Sequence, residues 1–227
     1  MAKNVFGIII DDEIMRSLVE FSDDNKPITQ ADRAKEALRS KNSQEKDTDV
    51  TRYVDNLKAQ YDGNRSTRVV FYNATGATLE LVTTKDWHGH IGAAPVPLTV
   101  HNGQWAGFLH VKTGGAAVGS TGAVVYRATV LDGTKHDFML AWSNPFARGS
   151  WDNAVYAEVR AAGHFTEPGI WDVISDIIDK RADPAFGPDG QRWIETPNDK
   201  GRGKMTISTG SDNLPIVEAV LTLQDLE

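Results

Sequence analysis

The chain has 227 residues, no cysteine, a formal net charge of -7 and a pI near 5.4. The missing thiols exclude disulfides, thiolate zinc sites and cysteine catalysis, and the acidic balance opposes unspecific binding to nucleic acid or anionic lipid, which needs a positive field. With 40% hydrophobic residues there is apolar mass for one sizeable core, so one main domain with an appendage is expected.

The opening run "MAKNVFGIIIDDEIMRS" is apolar only from Val5 to Ile10 before Asp11, Asp12 and Glu13 interrupt it, too short for a signal peptide's hydrophobic region. No stretch approaches the roughly 20 apolar residues of a membrane-spanning helix, and a cytoplasmic protein is the expectation. In "PITQADRAKEALRS", Thr29 followed by Asp32 is a capping box that opens a helix through Leu38. In "DVTRYVDNLKAQYDGN", Val50, Tyr53, Val54 and Leu57 form one helical stripe that stops at Asp62-Gly63-Asn64. The charged "SKNSQEKDTD" between them reads as a loop. Residues 1–65 are thus expected as a helical segment and 66–227 as a β-sandwich domain.

From Arg68 the period becomes two. "RVVFY" and "TLELV" flank "NATGA" as a predicted hairpin, with Leu79 and Leu81 on one face. "QWAGFLHV", "GAVVYRATV", "HDFMLAW" and "NAVYAEVRAA" follow as strands, with Val124, Tyr126, Ala128 and Val130 as the buried face of the second. "GIWDVISDIIDK" fits a helix with Ile170, Ile174, Ile177 and Ile178 on one side, or a strand. "RADPAFGPDGQRW" is a loop, and "KMTIST" and "PIVEAVLTLQ" are closing strands. The fold class expected is mainly β with N-terminal α: an antiparallel β-sandwich plus N-terminal helices.

The chemistry-bearing residues are few. His88 and His90, one glycine apart, would point to one face of an extended segment and supply two metal ligands, with His101, His110 or Asp86 as a third. The spacer Gly89 and the following "IGAAPVP" add no carboxylate, so the leading reading of "TTKDWHGHIGAAPVP" is a long connection after a Leu79–Val82 strand. It would be anchored by Trp87 and stiffened by Pro95 and Pro97. "KTGGAAVGSTG" lacks the lysine and following helix of a phosphate loop and reads as a glycine-rich connection. No G-x-S-x-G elbow, H-E-x-x-H helix or dinucleotide fingerprint occurs, and the acidic pairs Asp11-Asp12 and Asp23-Asp24 read as solvated surface. Asn73-Ala74-Thr75 matches a glycosylation acceptor, which matters only in a secreted chain.

Aromatics carry more information. Trp87, Trp105, Trp142 and Trp151, with Phe146 and Tyr156, crowd the strand-and-loop region. Core packing explains such residues in general, whereas rings beside turns can stack on sugars or enter a membrane interface. In "AWSNPFARGSWDN" a strand ends at Trp142, Asn144-Pro145 turns the chain, and Phe146 and Trp151 flank Arg148. The candidate ligand-binding set is therefore Trp87, His88, His90, Trp105, Phe146, Arg148 and Trp151.

"NATGATLELV", "DWHGHIGAAPVPLTVHNGQWAGFLHV" and "GSTGAVVYRA" resemble the 23-kilodalton jasmonate-induced proteins of plants, most closely from Tyr72 to Tyr126 and again in "YVDNLKAQY", "YAEVRAAGHF" and "GIWD". That resemblance implies a stress or defence protein and brings no catalytic residues. The order of "NATGATLELV", "NGQWAGF", "GSTGAVVYRA" and "FMLAWSNPFARGSWDN" also resembles aegerolysins and the small component of binary insecticidal toxins. Those are β-sandwiches that recognise membrane lipids; the N-terminal helices and long C-terminal segment depart from their compact pattern. The expectation is a non-enzymatic protein without a cofactor that binds a membrane lipid or glycan through aromatic loops. The rivals are a metal-binding protein or metal-dependent enzyme on His88 and His90, and a storage or protein-interaction module using the Tyr53–Leu57 stripe.

Overall fold

The computed structural model describes residues 4–147, 150–186, 193–197, 200–208, 213–224 and 226. The chain runs through β1 (Val5–Phe6), α1 (Asp12–Arg16), α2 (Gln30–Arg39), α3 (Lys46–Ala59), β2 (Ser66–Ala74), β3 (Leu79–His88), β4 (His90–Ile91) and β5 (Thr99–Val100). It continues through β6 (Trp105–Val111), β7 (Ser120–Thr129), β8 (Lys135–Asn144), β9 (Ala154–Ala161), α4 (Ile170–Ala182), β10 (Trp193–Pro197), β11 (Gly201–Ile207) and β12 (Ile216–Leu223). One sheet has the order β1-β6-β2-β12-β11-β10, with β4 also on β6; the other has the order β5-β3-β7-β8-β9. All pairings are antiparallel except β12 with β2, a parallel seam that joins the last strand to the first long one.

Four layers result: helices, sheet, sheet, helix. Between the sheets lie Val69, Phe71, Phe108, Val124, Tyr126, Phe138, Leu140 and Trp142. The outer face of the first sheet carries Val70, Tyr72 and Trp105 against Ala37, Val50 and Val54 of α2 and α3. On the second, Ala123, Val125, Met139 and Ala141 are covered by Ile174 of α4 and by Phe165. Strands buried on both faces lose the polar half of their alternation, which is why all of β6 is buried and why "QWAGFLHV" is apolar almost throughout.

The helical expectations hold. Thr29 caps α2, its Oγ1 accepting from the Asp32 N–H at 3.2 Å while Asp32 Oδ2 accepts from the Thr29 N–H at 2.9 Å. The α3 stripe docks on the sheet, and Tyr53 lies 5.4 Å from the Phe6 ring; it serves as core within the chain. "GIWDVISDIIDK" resolves as a helix, burying Ile174 and Ile178.

Two expectations are corrected. β2 and β3 are not a hairpin; they belong to different sheets. Asn73 turns inward at the corner, donating from Nδ2 to the Ala77 and Val100 carbonyls, both at 2.8 Å, while its Oδ1 accepts from Thr75 N and Oγ1. Side-chain bonds replace the ladder there, and the buried Asn73 cannot serve as a glycosylation acceptor. β3 also continues to His88 instead of ending at Val82, with register shifts at Leu81/Thr83 and Asp86/His88. The chain then crosses to the other sheet at Gly89, whose φ of +95° and 2.3 Å approach of a would-be Cβ to the Val111 carbonyl require glycine.

The "SKNSQEKDTD" segment is not a loop throughout, since α3 already begins at Lys46, and it hides a buried cation. Lys46 is 3% exposed, and its Nζ donates to Tyr72 Oη and the Gly103 carbonyl, both at 3.0 Å. Gln44 and Glu45, at φ 61° and 56°, hold the backbone that aims it inward. Burial pulls its pKa down to about 8. Between that value and the 10.5 of the unfolded lysine, the unfolded chain binds the extra proton, so stability rises with pH. Thermal melts are expected to show this rise between about pH 8 and 10, and Lys46→Met to abolish it; an identical slope in the variant would refute the assignment.

Candidate functional site

β8 ends at Asn144, and Pro145, which cannot extend the ladder, sends the chain outward. The buried Arg65 holds this turn from below. Its Nη1 donates to Asn144 Oδ1 at 3.2 Å and to the Pro145 carbonyl at 2.5 Å, and its Nη2 donates to the Phe146 carbonyl at 3.2 Å. The guanidinium lies 5.3 Å from the Phe146 ring centroid and Lys112 Nζ lies 5.2 Å from it, within cation–π range. Phe146 remains 41% exposed and Trp151 38% exposed. Phe146 is therefore held by a planar fork that reaches two successive carbonyls, while the Trp151 N–H donates to the Ala147 carbonyl at 3.2 Å.

Phe146 and Trp151 line a cleft of about 320 Å³ together with His88, Val118, Gly119, Thr121, Ser143 and Asp179. Gly119 lets the "KTGGAAVGSTG" connection approach the turn: a Cβ there would sit 2.3 Å from the Asn144 carbonyl. Burial raises the Asp179 pKa, and the nearby His88 pulls it back. Asp176, Lys180 and Asp183 of the α4 end lie with Asp179 around the outer side of Trp151. The cleft thus has an apolar aromatic lip and an acidic flank.

A chain of hydrogen bonds connects this turn to "KDWHGHI". Asp86 Oδ1 lies 3.0 Å from His110 Nε2, His110 Nδ1 lies 2.8 Å from Ser120 Oγ, and Ser120 Oγ lies 2.8 Å from Thr67 Oγ1. Asn144 Nδ2 donates to Thr67 Oγ1 at 3.5 Å and to the Ser66 carbonyl at 3.2 Å, and Asn144 Oδ1 accepts from Arg65, which brings the chain to the turn. Burial lowers the His110 pKa, against the pull of Asp86. The Asp86-His110-Ser120 geometry has the members of a hydrolytic triad, but with the order inverted toward solvent. Ser120 is completely buried, while the Asp86 side chain is 37% exposed. A substrate would meet the carboxylate and never the hydroxyl, so the arrangement braces the two sheets.

Of the candidate set, His88, Phe146 and Trp151 come together at the cleft. Arg148 lies outside the described residues. Trp87 packs under α4, its ring centroid 5.8 Å from that of Trp171. Trp105 is a correction: it is 2% exposed, and its Nε1 donates to the Lys41 carbonyl at 2.9 Å. It is a packing residue because the helical layer covers the outer face of β6. His90 is exposed on β4.

The four histidines do not converge. His101, bonded through Nδ1 to Thr78 Oγ1 at 3.1 Å, precedes β6, whereas His110 occupies its far end. The turn at Gly89 also assigns His88 and His90 to different sheets. Among the described residues no group of three His, Asp or Glu is placed to hold a metal ion. Sequence reasoning missed Arg65 and Asp179; Arg65 finds its partners about 80 positions away and leaves no local pattern.

These features define a helix-wrapped β-sandwich with an aromatic turn at one end, mainly β with two sheets and a few helices. The chain belongs to the Nakanori-like protein family, whose pattern matches residues 6–224. It is 41% identical to the 23 kDa jasmonate-induced protein of Hordeum vulgare, over 78% of this chain and 82% of that one. A jasmonate-induced protein homolog of Atriplex canescens is 26% identical over 69% of this chain and 80% of that one. The crystal structure of the lipid binding protein Nakanori superposes with a TM-score of 0.82 at 31% identity, covering 96% of this chain and 98% of that one. No helix among the described residues is long and apolar enough to cross a membrane.

Proposed function

We propose that this chain is a non-enzymatic lipid-binding protein of plant stress or defence responses, and that the Phe146–Trp151 cleft is where it meets the membrane surface. The observation that carries this reading is a pair of half-exposed rings lining one cleft, Phe146 on the turn that Arg65 anchors and Trp151 beside it. Rings presented in this way insert at the headgroup level without a large ordering cost. Whole-chain similarity to a lipid binding protein supports the lipid over the glycan, and the similarity to a jasmonate-induced protein supports the stress context. With a net charge of -7 and Asp176, Asp179 and Asp183 beside Trp151, attraction to anionic headgroups would contribute little, so binding should be insensitive to salt.

Co-sedimentation with vesicles of phosphatidylcholine, of phosphatidylcholine with sterol or phosphatidylserine, and of total leaf lipid tests this. Phe146→Ala and Trp151→Ala should each weaken binding by roughly tenfold or more, since each buried ring is worth about 1.5–3 kcal/mol. Failure to bind any of these vesicles, or equal binding by both variants, would sink the assignment. Binding on a glycan array without vesicle binding would replace lipid by sugar.

A further inference from the structure

We propose that the connection between β6 and β7, residues 112–119, is a second membrane contact beside the Phe146 turn, and that its uncharged tip, residues 113–118, rests at the headgroup level of a lipid bilayer. This inference rests on the lipid-binding reading of the cleft and names a further surface through which the chain meets the bilayer. Three connections gather at one end of the sandwich. β3 ends at His88, opposite Thr121, and β7 begins at Ser120, opposite Asn144 where β8 ends. The β6–β7 connection therefore lies against the Phe146 turn, with Ala117, Val118 and Gly119 in the wall of the cleft. Thr113, Gly114, Gly115 and Ala117 are exposed, and a Cβ added at Gly114 or Gly115 would meet no atom within 4 Å. The tip thus stands clear of both sheets.

Composition decides which wall of the cleft faces lipid. No residue from Thr113 to Tyr126 is charged, whereas the end of α4, on the other side of Trp151, carries Asp176, Asp179 and Asp183. Carboxylates lose hydration as they enter a bilayer interface, a cost that glycine, alanine and valine side chains do not carry. The far end of the sandwich is also less suited to lipid: the β7–β8 turn there holds Asp132, which Lys200 bridges at 3.0 Å. Backbone chemistry limits the depth. The Ala116 N–H donates to the Thr113 carbonyl at 3.3 Å, and a loop outside the strand ladders must stay where water and headgroups can satisfy its peptide groups, short of the hydrocarbon.

The chain has no cysteine, so Gly114→Cys carrying an environment-sensitive fluorophore reports on this tip alone. Gly114 has open space around it and, unlike Gly115 at φ +74°, no positive φ. Leu131→Cys, exposed on the β7–β8 turn and about 30 Å away along the strands, is the control. With vesicles of phosphatidylcholine, of phosphatidylcholine with sterol or phosphatidylserine, and of total leaf lipid, the label at 114 should shift to the blue and become shielded from an aqueous quencher, while the label at 131 stays unchanged. Gly114→Trp should tighten co-sedimentation about fivefold and Gly114→Asp should weaken it about fivefold, with thermal melts unaltered. If the unlabelled chain binds none of these vesicles, the lipid reading falls and this contact falls with it. If it binds while the label at 114 stays in water, while both labels respond alike, or while Gly114→Asp binds as the native protein does, the contact alone is overturned and Phe146 and Trp151 remain the lipid site.

Discussion

Replacing Arg65 by methionine is expected to weaken vesicle binding at least about tenfold and to lower folding stability by about 2–4 kcal/mol. The side chain donates to Asn144 Oδ1 and to the carbonyls of Pro145 and Phe146. Methionine retains the stem and removes every donor, leaving buried acceptors unpaired at a turn that Pro145 prevents from joining the ladder. Lysine keeps the charge but has a point donor where a planar fork is needed, so Arg65→Lys should fall between methionine and the native residue. Binding measured well below each variant's melting temperature separates loss of fold from loss of position. If folded Arg65→Met binds vesicles as the native protein does, the turn does not depend on its anchor. Hydrogen exchange at Phe146 provides a readout independent of lipid: protection should fall in both variants, and further in methionine.

The same network explains why "KDWHGHI" looked like chemistry. Alternation along β3 sends Trp87 under α4 and Asp86 to His110, so the segment ties the two sheets together and then crosses between them at Gly89. Its residues are polar because the seam they close is polar. The likeness to a metal site arises from proximity along the chain, which the positive φ at Gly89 undoes.

Local signals were readable where the cause is local. The Thr29–Asp32 box, the Val50–Val54 stripe and the Val124–Tyr126–Ala128 face are each set by neighbours within a few residues, and each element forms as its pattern predicts. The exposure of Phe146 and Trp151 has a related local cause: a strand ending in Asn-Pro releases the rings that follow it. The failures have distant causes. Asn73 reads as a turn residue, but its side chain bonds to Val100 across the corner; the parallel seam joins residues such as Val69 and Val217; Lys46 sits in a charged run yet is captured by Tyr72 and Gly103. Pairing partners far apart in sequence leave no periodicity to read.

Trp105 provides the sharpest case of a residue whose type suggests a ligand and whose position makes it core. Trp105→Ala is expected to destabilise the protein by about 3–5 kcal/mol, with no specific loss of vesicle binding by the fraction that remains folded. The ring lies 5.1 Å from that of Tyr72 and packs in the cluster that includes Val50, Val54 and Ala37, so alanine leaves a cavity where the helices meet the sheet. It also removes the donor to the Lys41 carbonyl, which ties the chain after α2 to β6. Trp105→Phe should recover much of the packing and none of that hydrogen bond, placing its stability between the two. Chemical denaturation measures the order of the three proteins, and vesicle binding at low temperature measures the second half of the prediction. A folded Trp105→Phe protein that loses lipid binding as fully as Trp151→Ala would return Trp105 to the ligand site; unchanged binding with reduced stability assigns it to the seam between helices and sheet.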